Sequence, residues 1–150
     1  MFIINKAGRD DIPAVLEIEK VSHARPWNEA GFICELSKQR SGRGIFLTAQ
    51  DEGSGAIAGY ITGDFIVDYL HISNMAVGPD FRRGGAGRML LAAAERETLK
   101  KKFSSLTLEV SEKNEAALSL YRRFGFEIKG RRPKFYEEKY DGLLMWKRLI

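Results

Sequence analysis

One stretch of this sequence gathers the residue types that bind phosphate, Arg82-Arg83-Gly84-Gly85-Ala86-Gly87-Arg88. Glycine reaches positive φ and lets a ligand approach the backbone closely. Where a helix follows such a turn, its first amides lack intrahelical partners and sit at the positive end of the dipole. The turn then becomes an anion site suited to a pyrophosphate, and the flanking arginines add charge-assisted donors. Two familiar phosphate loops do not fit. The Gly-Lys-Ser/Thr of a Walker A loop is absent, and Gly85-Ala86-Gly87-Arg88-Met89-Leu90 stands where a dinucleotide fingerprint needs G-x-G-x-x-G. A solvated turn with incidental arginines has the same spacing, so the motif alone names a site class and no reaction. The second candidate is Glu109. It sits among Thr107 and Ser111 in a run that alternates with Leu106, Leu108 and Val110. A carboxylate in mid-strand is seldom left without a partner, and one on the polar face can accept a proton.

Other chemistries are poorly supplied. Cys34 is the single cysteine and His23 and His71 the two histidines, with no H-E-x-x-H pattern, so no metal is expected. Both histidines read as structural or surface residues. The net charge of +4 is unevenly spread: residues 1–81 hold 7 basic and 11 acidic side chains, residues 82–150 hold 17 and 9. Such asymmetry implies an anionic partner at the second half, and nucleic acid, a membrane surface and a phosphorylated cofactor all satisfy it. No RNA-recognition or zinc-finger signature accompanies the basic residues. Met1-Phe2-Ile3-Ile4 is too short for a signal peptide and no apolar run reaches 18 residues. A soluble cytoplasmic protein with no membrane partner is therefore expected.

Positioning these residues takes a series of short elements. With 150 residues, 44% hydrophobic, and no linker or repeat, one domain over 1–150 with its own core is expected. Phe2 to Asn5 reads as a strand. Asp10-Asp11 opens a helix with Ile12, Val15, Leu16 and Ile18 to Val21 at helical spacing. Pro26-Trp27 breaks the chain, and Asn28 caps a second helix bearing Phe32, Ile33 and Leu36. Three strand-like runs follow, Gly44 to Ala49, Ala56 to Ile66 and Tyr69 to Val77, the last stopped by Gly78-Pro79-Asp80. Ala86, Met89, Leu90 and Ala93 mark a helix beyond the glycine turn. The strand with Glu109 comes next, then a helix from Asn114 to Phe124 closed by Gly125. Two strands, Phe126 to Lys129 and Leu143 to Leu149, flank a basic-aromatic loop. The order is β-α-α-β-β-β-α-β-α-β-β, an α/β chain built on one mixed sheet.

At this point the chain resembles a family. Arg82-Arg83-Gly84-Gly85-Ala86-Gly87 matches the Gln/Arg-x-x-Gly-x-Gly/Ala signature of the GNAT acetyltransferases. The strand Ile72-Ser73-Asn74-Met75-Ala76-Val77 and the segment Asn114…Leu120-Tyr121…Phe124-Gly125-Phe126 fit as well. Within it the chain is most similar to RimI-type ribosomal-protein-alanine N-acetyltransferases and archaeal N-terminal acetyltransferases. Ile18-Glu19 with His23, Pro26 and Trp27, then Leu108-Glu109-Val110, Asn114 with Ala116-Ala117, and Leu120-Tyr121 carry this over nearly the whole chain.

The resemblance implies a mostly antiparallel sheet with splayed central strands, helices on both faces, and acetyl-CoA in the splay. It assigns the acetyl-pantetheine arm to Met75, Ala76 and Val77, and the pyrophosphate to Arg82 and the amides of Arg83, Gly84, Gly85, Ala86, Gly87 and Arg88. It implies Asn114 at the cofactor, Glu109 as general base, Tyr121 as the acid for the departing thiolate, and Trp27 and Tyr136 near the acceptor. The expected acceptor is a protein N-terminus, with a ribosomal protein among the partners, the enzyme acting as a monomer by direct attack in a ternary complex. Cys34 lies on an early helix, away from the splay, which argues against a covalent acetyl-enzyme. A lysine or small-amine acceptor is the alternative, and a nucleic-acid-binding module a remote one. Two departures bear on the acceptor: Phe135 replaces one of the family's paired tyrosines, and Asp141-Gly142 is followed by Leu143-Leu144-Met145 where the family has an acidic pair.

Overall fold

The computed structural model describes residues 1–136 and 139–150. Its strands are β1 (Phe2–Lys6), β2 (Gly44–Asp51), β3 (Ile57–Ile66), β4 (Tyr69–Val77), β5 (Ser105–Ser111), β6 (Glu127–Tyr136) and β7 (Tyr140–Arg148). They form one sheet in the order β1-β2-β3-β4-β5-β7-β6, antiparallel throughout except for the parallel pair β4–β5. Helices α1 (Ile12–Ser22) and α2 (Glu29–Arg40) pack on one face around Phe32, Phe46 and Tyr60. Helices α3 (Ala86–Lys100) and α4 (Glu115–Phe124) cover the other through Leu90, Leu91, Tyr121 and Phe124. The element order and the two-sided helical cover agree with the sequence-based expectation. No helix among the described residues is long and apolar enough to cross a membrane.

Local chemistry fixes the ends of these elements. Asn28 Oδ1 accepts from Gly31 N at 3.1 Å, and Asn114 Oδ1 accepts from Ala117 N at 3.2 Å, capping α2 and α4. Gly125, at φ +109°, closes α4 by donating its N–H to Arg122 O at 3.0 Å. Helix α1 differs from the expected stripe. Val21 is 64% exposed, while Glu19 is 1% exposed and shares the inner face with Val15 and Ile18. Apolar spacing favoured Val21, but hydrogen-bond donors waiting inside the sheet draw Glu19 inward instead.

The end of the chain also differs. Arg131 to Tyr136, expected as a loop, continue β6, and β7 begins at Tyr140 rather than Leu143. Pro133 is tolerated because β6 is an edge strand with one side unpaired. The ladder is irregular between Arg132 and Tyr136, where Lys134 has φ +51°. Residues 137 and 138 of the expected loop lie outside the described residues.

One irregularity positions everything that follows. Thr62 faces Asn74 while Gly63 faces Ile72, so Ser73 is an extra residue bulged out of β4. A bulge sharpens the local twist and bends its strand. Pairing between β4 and β5 runs from Tyr69↔Ser105 to Ile72↔Leu108 and stops there. Beyond it Ser73–Val77 and Glu109–Ser111 have no ladder between them, which is the expected splay.

Candidate active site

The glycine turn enters α3 as predicted. Gly85 holds φ +89° and a β-carbon there would meet nothing within 4 Å, so the turn opens outward. The first helical bond is Met89 N donating to Gly85 O at 3.0 Å. Among the described residues, the amides from Arg83 to Arg88 donate to no backbone or side-chain acceptor. Arg82, Arg83 and Arg88 are exposed and form no ion pair within the described residues. This is a cradle of free donors under net positive charge, which fits a diphosphate. Gly87, like Ala86 before it, is buried. A β-carbon there would lie 3.0 Å from Leu120 Cδ2 and 3.2 Å from Met75 Cε, so its small size lets α3 pack against β4 and α4.

The open edge of β4 begins at the bulge. Ala76 pairs with Tyr60, and its carbonyl is directed at β3, 2.7 Å from where a Gly59 β-carbon would stand. Strand alternation then directs the N–H and C=O of Met75 and Val77 away from β3, into the splay. The Val77 carbonyl accepts from Arg82 Nε at 3.2 Å. Ala76 differs from its two neighbours: its backbone is spent in the sheet and its side chain packs on the α1–α2 cluster.

Glu109 lies across the gap on the α1–α2 side of β5. Its side chain is 13% exposed, with Arg132 Nε 3.4 Å from Oε1. That oxygen is buried and accepts no hydrogen bond. A β-carbon on Gly142 would stand 2.6 Å from Oε1 and 3.3 Å from Tyr136 Cε2. Gly142 therefore makes the corner into which the carboxylate and the Tyr136 ring fit. Burial raises the Tyr136 phenol above its usual range, reinforced by the negative charge of Glu109 and opposed by Arg132. His71 Nδ1 is 2.8 Å from Thr107 Oγ1 on the same side, and burial lowers its affinity for a proton.

Tyr121 approaches from the opposite side, on the buried face of α4 against Phe126. Burial pushes its phenol up to about 12, with Tyr136 near enough to add to the effect. It is a protonated hydroxyl at neutral pH. Tyr121 thus lies on the α3–α4 face of the sheet and Glu109 with Tyr136 on the other, with Tyr121 within electrostatic reach of Tyr136. Asn114 is exposed and its Oδ1 is used in capping α4. Trp27 packs on Phe32 with ring centroids 5.2 Å apart, and its backbone N–H donates to Glu19 Oε2 at 2.9 Å. Cys34 is exposed on α2.

Sequence reading missed two polar groups behind this opening. Glu19 accepts from the Tyr60 hydroxyl, from Asn74 Nδ2 at 3.0 Å and from the Trp27 amide, so it ties the α1–α2 loop to β3 and β4. Glu35, also buried, accepts from Ser73 Oγ at 3.2 Å and pairs with Lys38 at 3.1 Å, next to the bulge. Burial raises the Glu35 carboxyl above its usual range, against the opposing pull of Lys38. A charged residue on an otherwise apolar helical stripe was the available signal for Glu19.

Comparison with known proteins agrees with this architecture. The sequence profile of the Acetyltransferase (GNAT) family matches residues 12–126. The [ribosomal protein bS18]-alanine N-acetyltransferase of Escherichia coli K12 is 31% identical over 148 residues, covering 97% of this chain and 96% of its own. That of Salmonella typhimurium is 35% identical over 126 residues, covering 84% and 81%. The crystal structure of the E. coli ribosomal-protein-S18-alanine N-acetyltransferase superposes with a TM-score of 0.86 at 30% identity, covering 99% of this chain and 94% of that one. Ard1 from Thermoplasma volcanium shares the fold, with a TM-score of 0.89 at 24% identity over 99% and 98%. The chain belongs to the GNAT family and is an N-acetyltransferase.

Proposed function

We propose that this enzyme transfers acetyl from acetyl-CoA to the α-amine of a protein N-terminus, by direct attack in a ternary complex. One observation supports the reading above the others: β4 and β5 part just beyond the Ile72–Leu108 pair, and the next residue of β5 is Glu109, a largely buried carboxylate whose Oε1 accepts no hydrogen bond. The relatives named as ribosomal-protein-alanine N-acetyltransferases support the choice of a protein terminus, with a ribosomal protein among the acceptors.

Acetyl-CoA supplies an activated thioester when bound. The amides of Arg83 to Arg88, with Arg82, Arg83 and Arg88 beside them, hold its diphosphate. Met75 and Val77 offer the backbone groups of an open strand edge to the pantetheine arm, and Asn114 Nδ2 adds a donor. The acceptor enters from the α1–α2 side, past Trp27 and Tyr136. An α-amine has a pKa of about 7.7–8.0 and arrives largely protonated, so Glu109 takes one proton before the nitrogen attacks. A lysine amine, near 10.4, would cost roughly 3.5 kcal/mol more to deprotonate. A single carboxylate is matched to the easier acceptor. Tyr121 donates its phenolic proton to the departing sulfur, and the second proton that the nitrogen loses as the amide forms returns the phenol to its starting state. Glu109→Gln tests the core of this: transfer should slow by about 10²-fold or more while acetyl-CoA affinity stays within twofold. A wild-type rate would remove Glu109 from the mechanism.

A further inference from the structure

We propose that Arg132 is a displaceable counter-ion of Glu109, a positioning residue that the acceptor's α-ammonium pushes aside as it docks. This rests on the reading of Glu109 as the group that takes the acceptor's proton. Arg132 Nε stands 3.4 Å from Glu109 Oε1, yet that oxygen accepts no hydrogen bond, so the pair is held by charge alone. The two partners differ in solvation. The arginine side chain is 55% exposed and leaves at little cost, whereas the carboxylate is 13% exposed and favours a cation at its side.

The arginine also has a second contact, made at the same time. Its guanidinium carbon lies 5.0 Å from the centroid of the exposed Phe135 ring, within cation–π range. Its strand leaves the regular ladder between Arg132 and Tyr136, so its stem rises from an irregular stretch of β6. Arg131 shows the contrast: it is held by Glu112 at 3.1 Å and Asp141 at 3.0 Å. Among the described residues, no other ion pair engages Glu109. A compact ammonium can reach the unbonded oxygen and donate to it, which the arginine does not do. When it docks, the arginine withdraws toward Phe135. Arg132 therefore opposes acceptor binding.

The test is steady-state kinetics with an Ala-initiated peptide, in wild type, Arg132→Gln and Arg132→Lys. Alongside it, the same peptide with propionyl in place of the first residue, and hence no amine, serves as a competitive inhibitor. In Arg132→Gln the peptide KM should fall about two- to fivefold, the range of an exposed ion pair. Arg132→Lys should restore it, and the inhibitor constant of the amine-free peptide should be the same in all three. A KM that stays or rises in Arg132→Gln, or an inhibitor constant that moves with KM, overturns the proposal. Phe135→Leu gives an independent arm: removing the contact that retains the arginine once it leaves Glu109 should raise the peptide KM, and an unchanged KM counts against the displacement. Failure here with a slowed Glu109→Gln removes only the role of Arg132, whereas an unslowed Glu109→Gln removes the reading beneath it.

Discussion

Gly142→Ala isolates the geometry of the carboxylate from the fold that carries it. Gly142 does not have positive φ, so the backbone of β7 accepts alanine without strain. The new β-carbon would stand 2.6 Å from Glu109 Oε1, against an ordinary contact of 3.4 Å or more. The carboxylate must therefore retreat by about 0.8 Å, which a flexible side chain does cheaply. Tyr136, 3.3 Å from the same carbon, yields by a tenth or two. A misplacement near 1 Å can cost about 10²-fold in rate. Losing the acid–base group altogether costs roughly 10²–10⁴-fold, which sets the ceiling. The expected kcat for Gly142→Ala is thus about 10- to 100-fold below wild type, equivalent to ~1.4–2.7 kcal/mol of activation free energy. Acetyl-CoA affinity by calorimetry should stay within twofold and the melting temperature within a few degrees. In a Glu109→Gln background the same substitution should add almost nothing, because its effect acts through that carboxylate. A wild-type kcat in the single variant, or an undiminished loss in the double, would refute the placement of Glu109.

Other perturbations address the remaining parts. Gly85→Glu should weaken acetyl-CoA binding by more than about tenfold by placing negative charge and a strained positive φ at the cradle, whereas Gly85→Ala should cost only about 1 kcal/mol of stability; calorimetry and urea unfolding read the two. Tyr121→Phe should lower kcat by about 10²-fold with acetyl-CoA affinity unchanged, in a rapid-mixing assay; an unaltered kcat would free Tyr121 of any proton transfer. The unfolded chain ionises tyrosine from about pH 10 while native Tyr121 keeps its proton to about 12. Its contribution to stability is therefore complete below pH 10 and is lost as pH rises through about 12, which urea titrations at pH 9, 10 and 11 should show as a falling stability. Glu19→Ala should destabilise by roughly 3–5 kcal/mol, because Tyr60, Asn74 and the Trp27 amide lose a shared buried acceptor; a loss below about 1 kcal/mol would mean that water replaces it.

What could be read directly was local. The cradle around Gly85, the Asn114 and Gly125 ends of α4 and the polar position of Glu109 each follow from residue type and short-range spacing. What escaped was set by partners far along the chain. Ser73 reads as one more alternating strand residue, and only its pairing across β3 reveals the bulge that opens the sheet. Arg131 to Tyr136 lacks alternation and contains Pro133, so it reads as a loop. Pairing with β7 makes it a strand and places Arg132 beside a carboxylate 23 residues earlier. Glu19 was masked by Val21, which has the better hydropathy but the wrong face. The basic clusters also divide: Arg82, Arg83 and Arg88 flank the glycine turn, while Arg131 and Arg132 engage Glu112, Asp141 and Glu109. Read as a sequence, the basic second half allows a nucleic-acid partner as well as a phosphorylated cofactor, and five of its 17 basic residues are the ones just named.

The acceptor nitrogen is read by mass spectrometry on a set of peptides bearing free or blocked N-termini, each with and without an internal lysine, incubated with acetyl-CoA. Acetyl is expected on the α-nitrogen of every free terminus tested with Ala first, and none on peptides whose terminus is blocked, lysine or not. Acetylation confined to lysine side chains, with free α-amines untouched, would contradict this expectation.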